Sequence, residues 1–157
     1  DDKGNEVGVP CDNVLPTPVF TGNIDSLCWE MEKRFVDTLN EWRRNHGLNE
    51  LQYDSEMESL LTVPWNEKQV QMGDISHGEG YNSLGNRSDR VGIGGVGECC
   101  AYNYKSDMGE VSRFFIQYKD SPPHWEILTD DDYDYISVSV LYDQETNRYY
   151  SVVNVRW

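Results

Sequence analysis

The 157 residues hold only three histidines, His46, His77 and His124. Any site that moves protons or ligates metal through imidazole is therefore confined to those positions. His46 closes a predicted helix, where a cation suits the C-terminal dipole. His77 lies in Ile75-Ser76-His77-Gly78, and His124 in Ser121-Pro122-Pro123-His124-Trp125. Both are predicted loop positions beside glycine or proline, from which a side chain can face a cleft. Glu98, preceded by Gly97, falls between them in sequence. Two imidazoles and one carboxylate form a donor set for zinc if the fold gathers them. Alternatively Glu98 serves as a general base while the histidines alone hold the metal. Their spacings match no local ligand motif, no nucleophile-elbow string is present, and a cysteine nucleophile competes with disulfide formation.

Four cysteines, Cys11, Cys28, Cys99 and Cys100, allow three pairings. Adjacent residues hold their Cα atoms about 3.8 Å apart, so a Cys99–Cys100 bridge is strained. In an extended segment the two point to opposite faces. The favoured arrangement sends one to Cys11 and the other to Cys28, stapling an N-terminal arm to the core; four reduced thiols are the alternative. Without a C-x-x-C pair, a four-cysteine zinc site is poorer still. Gly92-Ile93-Gly94-Gly95-Val96-Gly97 spells a dinucleotide fingerprint, but an extended stretch follows where a helix is needed, so it reads as a loop. Asp130, Asp132 and Asp134 open like a calcium loop, yet Tyr135 and Leu141 stand where glycine and glutamate are required, leaving a solvated acidic turn. Asn86-Arg87-Ser88 is an N-glycosylation sequon, with Asn86 as acceptor.

The elements that must position these groups are coarse but readable. Residues 1–24 are polar and broken by Pro10, Pro16 and Pro18, an extended arm without its own core. From Asp25, Leu27, Met31, Phe35, Leu39 and Trp42 share one face of a helix, with Arg43 and Arg44 at its C-terminal dipole and Gly47 just past its end. Asp54 or Ser55 opens a second helical pattern that Pro64 should break or kink. Residues 73–97 read as a long loop. Asp107-x-x-Glu110 resembles a capping box before Val111, Phe114, Phe115 and Tyr118, a helix that Pro122 and Pro123 should end. Tyr135–Tyr142 and Arg148–Trp157 form an antiparallel hairpin. Helices come early and strands late, which predicts an α+β domain at 25–157, with helices packed on a small sheet.

Composition narrows the partners. Thirteen Lys and Arg against 28 Asp and Glu give a net charge of −15, which repels nucleic-acid phosphates and anionic membrane surfaces. No run approaches the roughly 18 apolar residues of a membrane span. Five Trp, ten Tyr and four Phe supply the bulk of a core. Trp65, Tyr81, Tyr102, Tyr104 and Trp125 have the look of exposed aromatics that suit a binding surface.

Taken in order, several segments resemble the CAP superfamily of cysteine-rich secretory, antigen 5 and pathogenesis-related proteins, whose domain is also called SCP. Phe35–Asp54 is similar to its opening helix followed by His46-Gly47-Leu48 and Tyr53-Asp54. Ile75-Ser76-His77 resembles its aromatic-Ser-His segment, and Gly97-Glu98-Cys99 its Gly-Glu-Asn motif. Tyr118–Leu128 resembles the Ser-Pro-x-His stretch of bacterial-type members; Tyr135–Val140 and Tyr149–Val153 resemble its closing strands. The resemblance spans about residue 30 to 157 and implies a three-layer α-β-α sandwich with a small central antiparallel sheet and a central cleft. It implies His77, His124 and Glu98 as cleft residues able to hold zinc or another divalent ion, with no cofactor required, and Ser121 and Trp125 beside them. Cys99, Trp125 and Tyr118 depart from the family pattern, and Ser137 and Ser139 stand where it has small glycines. The resemblance also implies an extracellular or cell-surface protein, more a binding module for a protein or a lipid- or sterol-like ligand than an enzyme. A metal-assisted hydrolase and a structural subunit anchored by the arm are the alternatives.

Overall fold

The computed structural model describes residues 2–3, 24–107 and 111–157. Its spine is a sheet of order β1-β3-β5-β4-β2, where β1 is Asp2–Lys3, β2 Gln52–Tyr53, β3 Val96–Tyr104, β4 Tyr135–Asp143 and β5 Arg148–Arg156. The three long strands are antiparallel, as expected, with β4 and β5 forming the hairpin. The two-residue edge strands pair parallel, β1 on β3 and β2 on β4, so the sheet is mixed.

Strand alternation divides the sheet into two unlike faces. One turns Ile136, Val138, Val140, Val153, Val155, Cys99 and Ala101 onto an apolar core. Helix α1 (Ile24–Asn45) covers it through Met31, Phe35 and Leu39; α5 (Arg113–Lys119) and α6 (Pro122–Leu128) add Phe114, Phe115, Tyr118 and Leu128. Phe35 stands edge-on to Phe115 and Tyr118, the favoured aromatic geometry. The other face carries Cys100 and Val152 against Trp65, surrounded by buried Glu98, Ser137, Ser139 and Asn154. It is covered by α2 (Ser55–Met57), α3 (Val63–Met72) and α4 (Leu84–Arg90). The result is an α-β-α sandwich.

Two local expectations are corrected. Pro64 does not break its helix. The chain widens into a π-helical turn over Glu58–Thr62, with Val63 N–H donating to Glu58 O, and Pro64 enters the first turn of α3. The wider turn removes the clash between the proline ring and a preceding carbonyl. The helix α5 ends at Lys119, just before Pro122 and Pro123, as expected, and the two prolines then open α6, where missing N–H groups cost nothing. Residues 73–97 hold the short helix α4, capped by Ser83 Oγ accepting from Asn86 N–H. Ser112 precedes α5; Glu110 of the expected capping box lies outside the described residues.

Among the described residues no disulfide joins Cys28 to Cys99 or Cys100, so that half of the expected staple is not formed. Cys99 and Cys100 do point to opposite faces, but Cys28 neighbours Tyr149, which pairs with Asn103. Four residues of strand, about 13 Å, separate that position from Cys99. Cys11 lies outside the described residues.

Arg43, expected as a dipole cation, is wholly buried. Its guanidinium donates to Asn49 O (2.8 Å), Leu128 O (2.9 Å), Asp130 O (3.0 Å) and Asn49 Oδ1 (3.1 Å), tying α1 to α6 and to the approach to β2. Arg44 makes an exposed pair with Glu50. Arg43→Ala strands three buried or half-buried carbonyls and is expected to lower unfolding stability by about 3 kcal/mol or more in urea titration, against less than about 0.5 kcal/mol for Arg44→Ala.

Candidate functional site

Glu98 points from β3 toward α4 and is 3% exposed. A carboxylate this buried must be matched by donors, and the fold supplies a full set. Oε1 accepts from Arg87 Nη2 at 2.9 Å and from His77 Nδ1 at 3.0 Å. Oε2 accepts from Arg87 Nη1 at 3.0 Å and from Asn154 Nδ2 at 3.1 Å. Burial alone would raise its pKa, but His77, Arg87 and Asn154 outweigh this and hold the carboxyl below its ordinary value. An ionised carboxylate only accepts, so His77 Nδ1 carries the shared proton.

Arg87 is placed as firmly. Its Nη2 also donates to His77 O (2.9 Å), its Nε to Asn82 O (2.7 Å), and its guanidinium lies 3.9 Å over the Trp65 ring. Trp65 in turn donates Nε1–H to Ser76 O at 2.7 Å. Thus α3, the 76–82 segment, α4 and β3 converge on one ion pair.

His77 and Glu98 come together; His124 joins neither within ligand distance among the described residues. Its ring meets Tyr118 edge-on on the apolar side of the sheet, its Nδ1 shares a hydrogen with Ser121 Oγ at 2.9 Å, and its carbonyl oxygen lies 3.9 Å from Cys99 Sγ. Trp125 packs edge-on against Trp42 and Phe115, on the flank of that apolar core. Cys100 is the unforeseen neighbour, with Sγ 3.7 Å from His77 Nδ1. Burial, reinforced by the charge of Glu98, pushes its thiol well above the ordinary value, so it is no nucleophile at neutral pH.

These residues do not fit a resident divalent ion. His77, Glu98 and Cys100 lie close together, but all four acceptor directions of Glu98 are occupied and an arginine already neutralises it. Glu98 acts on His77 as an orienting acceptor.

Elsewhere, Asn86 is exposed on α4 with Nδ2 donating to Gly80 O at 2.6 Å. Asp130 Oδ1 accepts from Asp132 N–H and Asp134 from Asn49 Nδ2, an acidic turn held by its own hydrogen bonds. The glycine run is a loop, as expected; a Cβ at Gly95 would lie 2.7 Å from the Trp157 ring. Of the aromatics expected outside, Tyr81 and Tyr104 are exposed, whereas Trp65 and Tyr102 are buried.

A sandwich with the Gly-Glu motif on β3 and the Ser-His segment folded against it defines a CAP, or SCP, domain. The chain belongs to the Cysteine-rich secretory protein family, whose profile it matches over residues 36–155. An outer surface protein of Borrelia burgdorferi shares the fold at 21% identity and a TM-score of 0.67, over 81% of this chain and 92% of that one. An extracellular SCP-domain protein of Bacillus anthracis does so at 18% and 0.69, over 89% and 45%. A cysteine-rich secretory protein of Staphylococcus aureus does so at 18% and 0.59, over 81% and 38%. The chain thus spans less than half the length of the last two. No curated protein sequence matches it.

Glu98→Gln leaves Arg87 charged without its partner and is expected to cost about 3–5 kcal/mol, as is Arg87→Met. The double variant should cost less than their sum, by more than about 1 kcal/mol in a urea double-mutant cycle. Because the folded carboxyl titrates below its ordinary value of 4.5, the stability it confers is complete above that pH and lost as pH falls through the depressed value. Acid melting curves of Glu98→Gln should lack this component.

Proposed function

We infer that the domain is an extracellular, non-catalytic binding module that works without a resident metal. The observation carrying this reading is the engagement of Glu98. A hydrolase at this cleft needs a carboxylate free to ligate an ion or accept a proton from water. Here both oxygens are spent on Arg87, His77 and Asn154, so the cluster serves as a strut. The outer surface and extracellular relatives support the location, and among the described residues no helix is long and apolar enough to cross a membrane. The exposed rings of Trp29, Tyr53, Tyr81 and Trp157 offer contact area for a protein or a lipid- or sterol-like ligand.

Calorimetric titration of zinc into the metal-free protein tests this, with ester and peptide hydrolysis assayed in parallel. The expected result is no saturable one-to-one heat that vanishes in both His77→Ala and His124→Ala, and no zinc-dependent turnover. Stoichiometric binding lost in both variants, with hydrolysis lost in Glu98→Gln, would overturn the reading.

A further inference from the structure

At the sheet edge opposite β3, strand β2 covers only Tyr135 and Ile136 of β4. Beyond it, side chains satisfy the open edge. Tyr53 Oη donates to Val138 O at 3.2 Å and accepts from Val138 N–H at 3.3 Å, and Glu32 accepts from Val140 N–H at 2.8 Å. Between α1 and this edge lies a pocket of about 290 Å³ lined by Trp29, Glu32, Lys33, Val36, Asp37, Tyr53 and Glu58. Trp29 is 56% and Tyr53 44% exposed, so two large aromatic rings stand open to solvent around a half-buried acid.

Among the described residues no ion pair engages Glu32. Lys33, the nearest on α1, pairs with Asp37 at 2.9 Å. Glu58, from the π-helical turn, adds like charge. The pocket therefore joins Glu32 and Glu58, neither in an ion pair among the described residues, to aromatic faces, the combination that recognises organic ammonium groups. Its volume suits one side chain, and a surface at −15 net charge attracts basic proteins.

We propose that this pocket receives the ammonium group of a lysine side chain presented by a basic protein partner, with Glu32 and Glu58 neutralising the charge and Trp29 and Tyr53 enclosing the stem. The proposal rests on the reading of the domain as a binding module and names the partner's chemistry. It also implies a pH dependence. Desolvation, with a further contribution from Glu58, pushes the Glu32 carboxyl up to about 7, against the opposing Val140 hydrogen bond. Tyr53, Glu58, Lys33 and Asp37 are the other titratable groups around it, and an ammonium is held best once Glu32 is ionised.

The test is an NMR titration with the peptide Ac-Ala-Lys-Ala-amide, its norleucine counterpart and n-butylammonium chloride. Glu32→Gln keeps an acceptor for Val140 N–H and Trp29 is exposed, so Glu32→Gln and Trp29→Ala should fold. The expected result is a saturable shift of the Trp29 indole with the lysine peptide and none with norleucine. Binding should weaken at least tenfold in both variants, and several-fold in the wild type between pH 8 and pH 5.5. No saturable shift, equal binding of norleucine, or indifference to Glu32→Gln would overturn the proposal. Butylammonium binding as tightly as the peptide would overturn the assignment to a protein partner. Failure here leaves the zinc and hydrolysis results standing, because they probe the other side of the sheet, so the two readings fail separately.

Discussion

The charge of Glu98 at 3% exposure is the constraint around which one half of the molecule is organised. An unpaired carboxylate there would lose several kcal/mol of hydration. Arg87 answers it with a planar fork that two carboxylate oxygens can accept together. The fork's remaining donors then dictate the neighbourhood. Nε–H requires the carbonyl of Asn82, Nη2 that of His77, and the guanidinium face rests on Trp65. The glycine-rich 73–97 segment is thereby drawn onto the sheet and closed at both ends by hydrogen bonds to one side chain.

The same face extends this polar logic across the sheet. Asn154 donates to Glu98 from β5, and its oxygen accepts from Thr62 Oγ1 at 2.7 Å; Thr62 also meets Ser137 Oγ at 2.5 Å. Asn66 reaches Ser139 Oγ and the Tyr150 carbonyl. Ser137 and Ser139 replace small glycines of the family pattern, and their hydroxyls find partners on the π-helical turn and α3. The widened turn at Pro64 thus does more than relieve a proline clash, since it presents Thr62 to the sheet. The apolar face is held by aromatic and aliphatic packing, with Tyr118 Oη reaching Ser151 Oγ at 3.0 Å.

Those two faces explain which features were legible in the sequence. The 3.6-residue period of Leu27, Met31, Phe35 and Leu39 and the alternation of Ile136, Val138 and Val140 write the apolar core directly, since each residue there obeys its element's own periodicity. The family strings placed His77 and Glu98 as partners. Arg87 was visible only as part of a glycosylation sequon, and its role depends on a tertiary partner 11 residues away that no local pattern encodes. Arg43 was hidden likewise, because a basic residue in a last helical turn ordinarily faces solvent. Pro64 misled because the meaning of a proline depends on position. Pro122 and Pro123 sit in a first turn, where an absent N–H costs nothing, and Pro64 follows a π-helical turn that makes room for its ring. The Cys28 half of the cysteine staple is not formed, and residue counts between cysteines do not convey the distance along the strand.

Two half-hidden glutamates at opposite sides of the sheet show why burial by itself assigns no role. Desolvation is the largest influence on both Glu98 and Glu32, yet the first is held below its ordinary value and the second pushed up to about 7. The difference lies in donors. Glu98 has an arginine fork, an imidazole N–H and an amide; Glu32 has one backbone N–H and a second carboxylate nearby. A carboxylate whose four acceptor directions are filled has no capacity left for an external ion or proton, so its work is structural. One that retains capacity in a pocket with exposed aromatic rings is in no ion pair among the described residues. Glu98 is thus fully paired within the fold, whereas Glu32 keeps acceptor capacity at the other side of the sheet, where β4 beyond β2 is met by the side chains of Tyr53 and Glu32.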